Sequence, residues 1–216
     1  MRHGKRLSRS FFERPCLSVA ADLVGAVIVR TLPDGSRLVG RLVEVEAYLG
    51  DGSDPSSHSH RGPTPRNRSM FGPPGRIYAY RSYGVHTCVN VVCEARGRGA
   101  AVLLRALEPL EGDPVMRRLR GLAAERSPRE IARGPGRLAQ ALGLGLEHDG
   151  ASILRGCVAL RAPPAELPLL AVASGPRIGI SKGAELPYRF YARGNPWVSP
   201  WRGTTPRRSR RVSARS

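Results

Sequence analysis

The sequence predicts a single mixed α+β domain built mainly on antiparallel strands. Its 216 residues fit one ordinary domain, and no abrupt change of composition divides them. Apolar runs in the first half come in pairs joined by short turns containing Pro, Asp, Ser or Gly, the connection that antiparallel neighbours use. Helical signals are short and fall mostly later in the chain.

Taken in order, Ser18–Leu23 followed by Gly25 predicts a short helix stopped by glycine. Ala26–Leu32 and Arg37–Tyr48 predict two strands joined through Pro33, Asp34 and Gly35. A second hairpin is expected from Ile77–Arg81 and Val85–Val92, turning at Ser82, Tyr83 and Gly84, with a further apolar strand at Ala100–Leu107. Asp113 and Pro114 suit the N-cap and first turn of a helix through Arg120 that Gly121 closes, and Gly136–Leu142 fits a helix ending at Gly143. Leu169–Ala173 and Arg177–Ile180 read as strands. The loops 49–76 and 122–135 are long, and long loops carrying His, Arg and Asn are more often functional than filler.

Residues 1–10 and 203–216 are basic and lack apolar periodicity, so both are expected to be flexible ends flanking one domain over 11–202. The tail carries Arg207, Arg208, Arg210, Arg211 and Arg215. No run approaches a membrane-spanning length, and no signal-peptide core follows the basic start, so a cytoplasmic protein is expected, nucleoid-associated in a prokaryote. The four cysteines, 16, 88, 93 and 157, form no CxxC pair and are expected to be reduced thiols. His86 with Cys88 and Cys93 does not close a tetrahedral site, so no metal is expected.

Charge is the unusual feature of the composition. Lys and Arg number 35 against 17 Asp and Glu, a net charge of +18, and only Lys5 and Lys182 are lysines. A host that favours Arg accounts for the choice of cation but not for the net excess, which concentrates polyanions around the protein. Nucleic acid is the leading partner.

The residues that carry chemistry lie between Val43 and Asn90. Period-two alternation over Val39–Tyr48 puts Val43, Val45 and Ala47 on one face and Leu42, Glu44, Glu46 and Tyr48 on the other. Glu46, at the strand end beside Tyr48, can accept a proton from water during hydrolysis of a glycosidic bond. Glu44 is read as a surface residue paired with arginine. Tyr48, His58 and Tyr80 are flat side chains able to sandwich an extruded base. Tyr83, at a turn before Gly84, is placed to project as a wedge that fills the gap a flipped nucleotide leaves. Asn90 shares its strand face with His86 and Cys88, where its amide can test a purine edge. Arg105 interrupts an apolar strand and calls for a carboxylate, a phosphate or ordered water as partner. Arg66, Lys182, Arg189 and Arg193 are candidate phosphate contacts.

The words FFERP (11–15), VEVEAYLG (43–50), TPRNRSMF (64–71), YAYRSYGVHTCVN (78–90), LLRALEPLEG (103–112), GPGRLAQALG (134–143) and RFYARGNPWVS (189–199) together resemble the alkyladenine, or methylpurine, DNA glycosylases. The resemblance spans nearly everything from Phe11 to Ser199, and its order and spacing are far more specific than any one word. It implies a curved antiparallel sheet with a protruding, DNA-intercalating hairpin. It also implies that Glu46 is the general base, with His58 and Arg105 holding the water, and that Tyr48, His58 and Tyr80 stack around the base. Tyr83 would intercalate through the minor groove, and Asn90 would exclude guanine by a clash with its exocyclic amine. The same resemblance implies a monofunctional, cofactor-free monomer that excises damaged purines, 3-methyladenine first among them, from double-stranded DNA. His58 aligns only if the loop after Gly50 carries an extra residue, which leaves His60 a competitor. His86 stands where members of the family can carry an aromatic residue near the DNA.

Two other classes fit parts of the pattern. A basic nucleic-acid binder without activity explains the arginines, the tyrosines and the hairpin but needs no carboxylate, and an RNA-associated domain would prefer RNA at matched salt.

Overall fold

The computed structural model describes residues 4–200. The segment 203–216, expected to be a flexible tail, lies outside the described residues. Of the basic start, Leu7 donates its N–H to the Leu160 carbonyl at 2.9 Å and Arg6 bridges Arg161, so residues 4–7 run beside a strand.

One curled antiparallel sheet organises the fold. Its strands are β1 (Val27–Thr31), β2 (Arg37–Tyr48), β3 (Ile77–Ser82), β4 (His86–Cys93), β5 (Ala100–Glu111), β6 (Val158–Arg161), β7 (Val172–Gly175) and β8 (Arg189–Ala192). The main order is β3-β4-β5-β2-β1-β6, with β8 pairing β2 and β7 beyond it. Ten of the twelve β2 residues are buried because this strand is paired on both edges. One edge meets β5; the other meets β1 through residues 37–41 and then β8 through residues 44–46.

The sheet turns where the β2–β5 register slips. Leu42 faces Leu107, Glu44 faces Ala106 and Val45 faces Leu104, which leaves Val43 and then Arg105 as extra residues. Bulges bend a strand and redirect side chains. Strict alternation, which assigned Leu42 to the glutamate face, therefore fails there: Leu42 and Val43 both enter the core. Pro109 is tolerated because β4 pairs only with Ala100 to Leu103 and the segment beyond it meets β5 only through an isolated bridge, Arg133 to Ala106, so no ladder on that edge requires an N–H at 109.

The helices are α1 (Arg9–Phe12), α2 (Cys16–Leu23), α3 (Asp113–Arg120) and α4 (Pro135–Ala141). Helix α2 packs on β2 and β5, α4 on β4 and β5, and α3 on α4. Val19, Ala20, Leu23, Met116, Leu138 and Leu142 thereby meet Val45, Ala47, Val89, Val91, Val102 and Leu104 in one core. The opposite face of the sheet is left free to carry a site. Helix α3 starts one position earlier than its sequence signals suggest: left-handed Gly112 is the N-cap, and Asp113 instead holds Arg117 at 2.7 Å.

Two expectations for the last third are corrected. The strand expected over Leu169–Ala173 is displaced toward the C-terminus: pairing begins at Val172 and runs to Gly175. Arg177–Ile180 forms no strand either, because the Arg177 side chain turns into the interior and the Ile178 N–H points to a side chain, not to a neighbouring strand. Strands β6 and β8 had no clear signal in the sequence, being four residues each.

Candidate active site

The free face of the sheet opens into a cavity of about 660 Å³, within the range of about 300–1,000 Å³ that small-molecule sites occupy. Strand β2 contributes Glu46 and Tyr48, β3 Tyr78 and Tyr80, β4 His86, Cys88 and Asn90, and β5 Leu103 and Arg105. Loops close the sides through His58, Arg66 and Met70, through Arg133–Arg137, and through Ile178–Ile180.

Glu46 is fully buried. Its Oε1 accepts the Ile178 N–H at 2.8 Å and lies 3.4 Å from Arg105 Nε, while its Oε2 accepts the Tyr48 hydroxyl at 3.1 Å. Burial raises its pKa above the ordinary carboxylate range, and the Arg105 charge and the Ile178 N–H oppose that rise. A buried carboxylate whose two oxygens are held by directed donors is positioned to accept a proton.

Arg105 lies between two carboxylates, 3.2 Å from Glu44 and 3.4 Å from Glu46. The bulge that leaves it unpaired in the ladder explains why an arginine occupies an otherwise apolar strand. Glu44, expected at the surface, is fully buried. Its Oε1 also accepts from Arg189 at 2.9 Å and its Oε2 from the Ser199 N–H at 2.9 Å. The physical reason is that β8 covers this part of β2, so no edge remains for water.

The walls are aromatic. Tyr78 and Tyr80 stack with centroids 5.5 Å apart and 25° between planes, and His58 meets Tyr80 edge-on at 4.4 Å. His58 Nδ1 is 2.8 Å from the Tyr78 hydroxyl, and Asn67 fixes the His58 carbonyl from Nδ2 at 2.8 Å. Burial and then the nearby Arg66 charge lower the His58 pKa, which favours the neutral imidazole. His60 lines only the adjoining cleft of about 310 Å³, which shares His58, Arg66 and Tyr78 with the main cavity. Of these two histidines, His58 is the one that lines the main cavity. Tyr78, missed in the sequence, shares the parity of Tyr80, and that alternation was the signal that could have found it. Burial pushes its hydroxyl up to about 12.

Asn90 is buried and donates from Nδ2 to the Tyr78 carbonyl at 3.0 Å, which locks its carboxamide. Cys88 lines the cavity, whereas Cys93 lies on the core face of β4. Among the described residues no group of three His, Cys, Asp or Glu side chains is placed to hold a metal.

The β3–β4 hairpin projects at the mouth of the cavity. Its turn closes with the Val85 N–H donated to the Ser82 carbonyl at 3.1 Å, and Tyr83 and Gly84 both have positive φ, 50° and 71°. That is the sign pattern of a type I′ turn, which Gly satisfies freely and Tyr only at a cost of about 1–2 kcal/mol. The strain holds the Tyr83 ring 86% exposed, with Val85 exposed beside it.

Of the expected phosphate contacts, Arg66 lines the cavity and donates to the Arg81 carbonyl at 3.2 Å, and Lys182 and Arg193 are exposed. Arg189 is corrected: it is 4% exposed, pairs with Glu44 and stacks over Tyr191 at 4.5 Å, so it cannot reach a phosphate. Arg137, exposed and lining the cavity, was not foreseen.

A curled antiparallel sheet bearing a buried carboxylate inside a ring-walled cavity, in a strongly basic protein, is an arrangement suited to a hydrolase that acts on nucleic acid. The family model for methylpurine-DNA glycosylase (MPG) matches residues 10–196, and the chain belongs to this family, the DNA glycosylases that cleave N-glycosyl bonds. A protein of Rhodopseudomonas palustris (strain BisB18) printed as "Putative 3-methyladenine DNA glycosylase" is 50% identical over 200 residues, covering 91% of this chain and 92% of its own. Proteins of the same name from Chlorobaculum parvum (46% over 206 residues, 95% and 96% covered) and Streptomyces avermitilis (48% over 207 residues, 94% and 95% covered) are similar to it along nearly their whole length. Among the described residues no helix is long and apolar enough to cross a membrane.

Proposed function

We propose that this glycosylase excises 3-methyladenine and related alkylated purines from double-stranded DNA by direct attack of water, with Glu46 as general base. The observation that carries the reading is a fully buried carboxylate at the floor of a cavity walled by Tyr48, Tyr80 and His58. The lesion base enters between these rings, where stacking is worth about 1–3 kcal/mol per base and tolerates several base identities. Glu46 takes a proton from a water that His58 and Arg105 hold. The water oxygen bonds to the sugar C1′ as the C1′–N bond breaks, and the bonding pair goes to the purine. An alkylated purine is already cationic, so that pair neutralises it and no second acid is required. Locked Asn90 meets the purine edge and disfavours guanine.

In this reading the monomeric domain 11–202 acts in the cytoplasm, at the nucleoid in a prokaryote. Arg66, Arg137, Lys182 and Arg193 contact phosphates, and the Arg-rich tail adds sequence-independent affinity. Duplexes carrying one defined lesion each test it: 3-methyladenine is released and an alkali-labile abasic site remains. Binding with no base released from any alkylated duplex would reduce the protein to a binder.

Tyr83 fills the space that the flipped nucleotide vacates. Asn tolerates positive φ and Asn-Gly is the favoured type I′ pair, so Tyr83→Asn is expected to raise stability by about 1 kcal/mol. The same change slows excision from duplex DNA more than from a lesion opposite an abasic gap, where no stack needs plugging. Thermal unfolding and paired excision rates on the two substrates measure the two halves of this trade.

A further inference from the structure

Arg177 belongs to none of the assignments above, yet it is among the largest fully buried side chains of the protein. Its guanidinium forms a two-pronged pair with Asp54, at 2.6 and 2.7 Å, and donates to the Ala47 carbonyl at 2.9 Å. The rings of Tyr48 and Tyr188 flank it at 4.7 and 5.3 Å. Burial works against its charge, but the hydrogen bonds and charge of Asp54 outweigh burial and raise its pKa further.

Asp54 in turn organises the loop that carries His58. Its two oxygens accept the N–H groups of Leu49 at 3.2 Å and Ser56 at 3.1 Å, while the Ser57 N–H is donated to its carbonyl at 3.1 Å. One ion pair therefore joins three segments: the end of β2 with Glu46 and Tyr48, the His58 loop, and the strandless stretch after β7. The third has no ladder to hold it, and the residue after Arg177 is the one whose N–H reaches Glu46 at 2.8 Å.

We propose that Arg177, anchored by Asp54, is a positioning residue that aims the Ile178 N–H at Glu46 and so keeps this carboxyl ionised for its work as base. The proposal rests on the reading of Glu46 as the base. The groups that face Glu46 are Arg105 from β5, Glu44 and Tyr48 from β2, Tyr80 from β3, Cys88 from β4 and Arg177 itself. Of these, only Arg105 and Arg177 are cations, and Arg177 does not touch the carboxylate. Its leverage passes through the backbone. A lysine retains the charge but neither the planar fork nor the stacking.

The test is the pH profile of single-turnover excision from a 3-methyladenine duplex. Arg177→Lys is expected to shift the acid limb to higher pH, so that its rate loss at about pH 6 exceeds that at about pH 8 by roughly tenfold, as loss of one hydrogen bond to a charged group implies. Ile178→Pro, which removes the N–H and leaves the ion pair, is expected to shift the limb in the same direction. Lesion affinity at the higher pH changes little in either. An unchanged limb in either folded variant, whatever its rate, overturns the proposal, as does failure of both to fold, which makes the pair purely architectural. Glu46→Gln run alongside separates the two readings: if it excises normally, the base assignment has failed, independently of Arg177.

Discussion

Glu44→Gln is expected to lower the melting temperature by about 6–20 °C. Glu44 is the common acceptor of two buried guanidiniums, Arg105 at 3.2 Å and Arg189 at 2.9 Å, and of the Ser199 N–H. Removing its charge leaves Arg189 with only the Tyr191 ring and Arg105 with only Glu46. Stranding a buried charge in this way costs about 3–5 kcal/mol, and about 2–4 °C accompany each kcal/mol in a domain of this size. A surface pair would be worth about 0–1 kcal/mol. Thermal unfolding decides between them, and a fall of under about 3 °C would show that the pair is screened by water as the sequence alone suggested. Salt is expected to change the loss little, because buried pairs are poorly screened.

Glu46→Gln is expected to act on stability in the opposite sense. Burial raises the pKa of Glu46 in the folded protein, against its ordinary 4.5. Between those two values the folded chain holds a proton that the unfolded chain has lost, so stability falls as pH rises through the window. Above the folded value the full cost of the buried charge is present; below the ordinary value it vanishes. Glutamine never ionises and keeps an oxygen for the Ile178 N–H. The variant therefore melts higher than the parent at about pH 8 and no higher at about pH 4. A variant that melts lower at both would mean that the Arg105 pair outweighs the burial. The same raised value places the acid limb of excision: the rate climbs with pH as the carboxyl loses its proton.

The parts of the fold that local signals govern were legible. The β1–β2 and β3–β4 hairpins follow from alternation and turn residues, and α3 ends at left-handed Gly121 as its position implied. What escaped is set by tertiary covering. Strand β8 buries Glu44 and Arg189, and a burial produced by a strand more than 140 residues away leaves no trace in the periodicity around residue 44. The bulges at Val43 and Arg105 escaped for a related reason, since register between distant strands is a property of the pair. Arg177–Ile180 alternates like a strand, but the demand of Asp54 for a partner overrides pairing. At the site, Glu46, Tyr48, His58, Tyr80, Asn90 and Arg105 are brought to one cavity, and Tyr78, on the same strand face as Tyr80, joins them through its hydroxyl contact with His58. Tyr83 is one of two described non-glycine residues with positive φ, the other being Glu94, and such disagreements between local preference and structure collect at functional sites.

The most direct test of Glu46 as the base is single-turnover excision of 3-methyladenine by Glu46→Gln, with enzyme in excess over a lesion duplex and binding measured on the same samples. Lesion affinity is expected to stay within a few-fold of the parent while the excision rate falls by about 10²–10⁴, the usual contribution of a positioned general base. A rate within about threefold of the parent, at equal binding, would contradict the assignment and leave the cavity without its base.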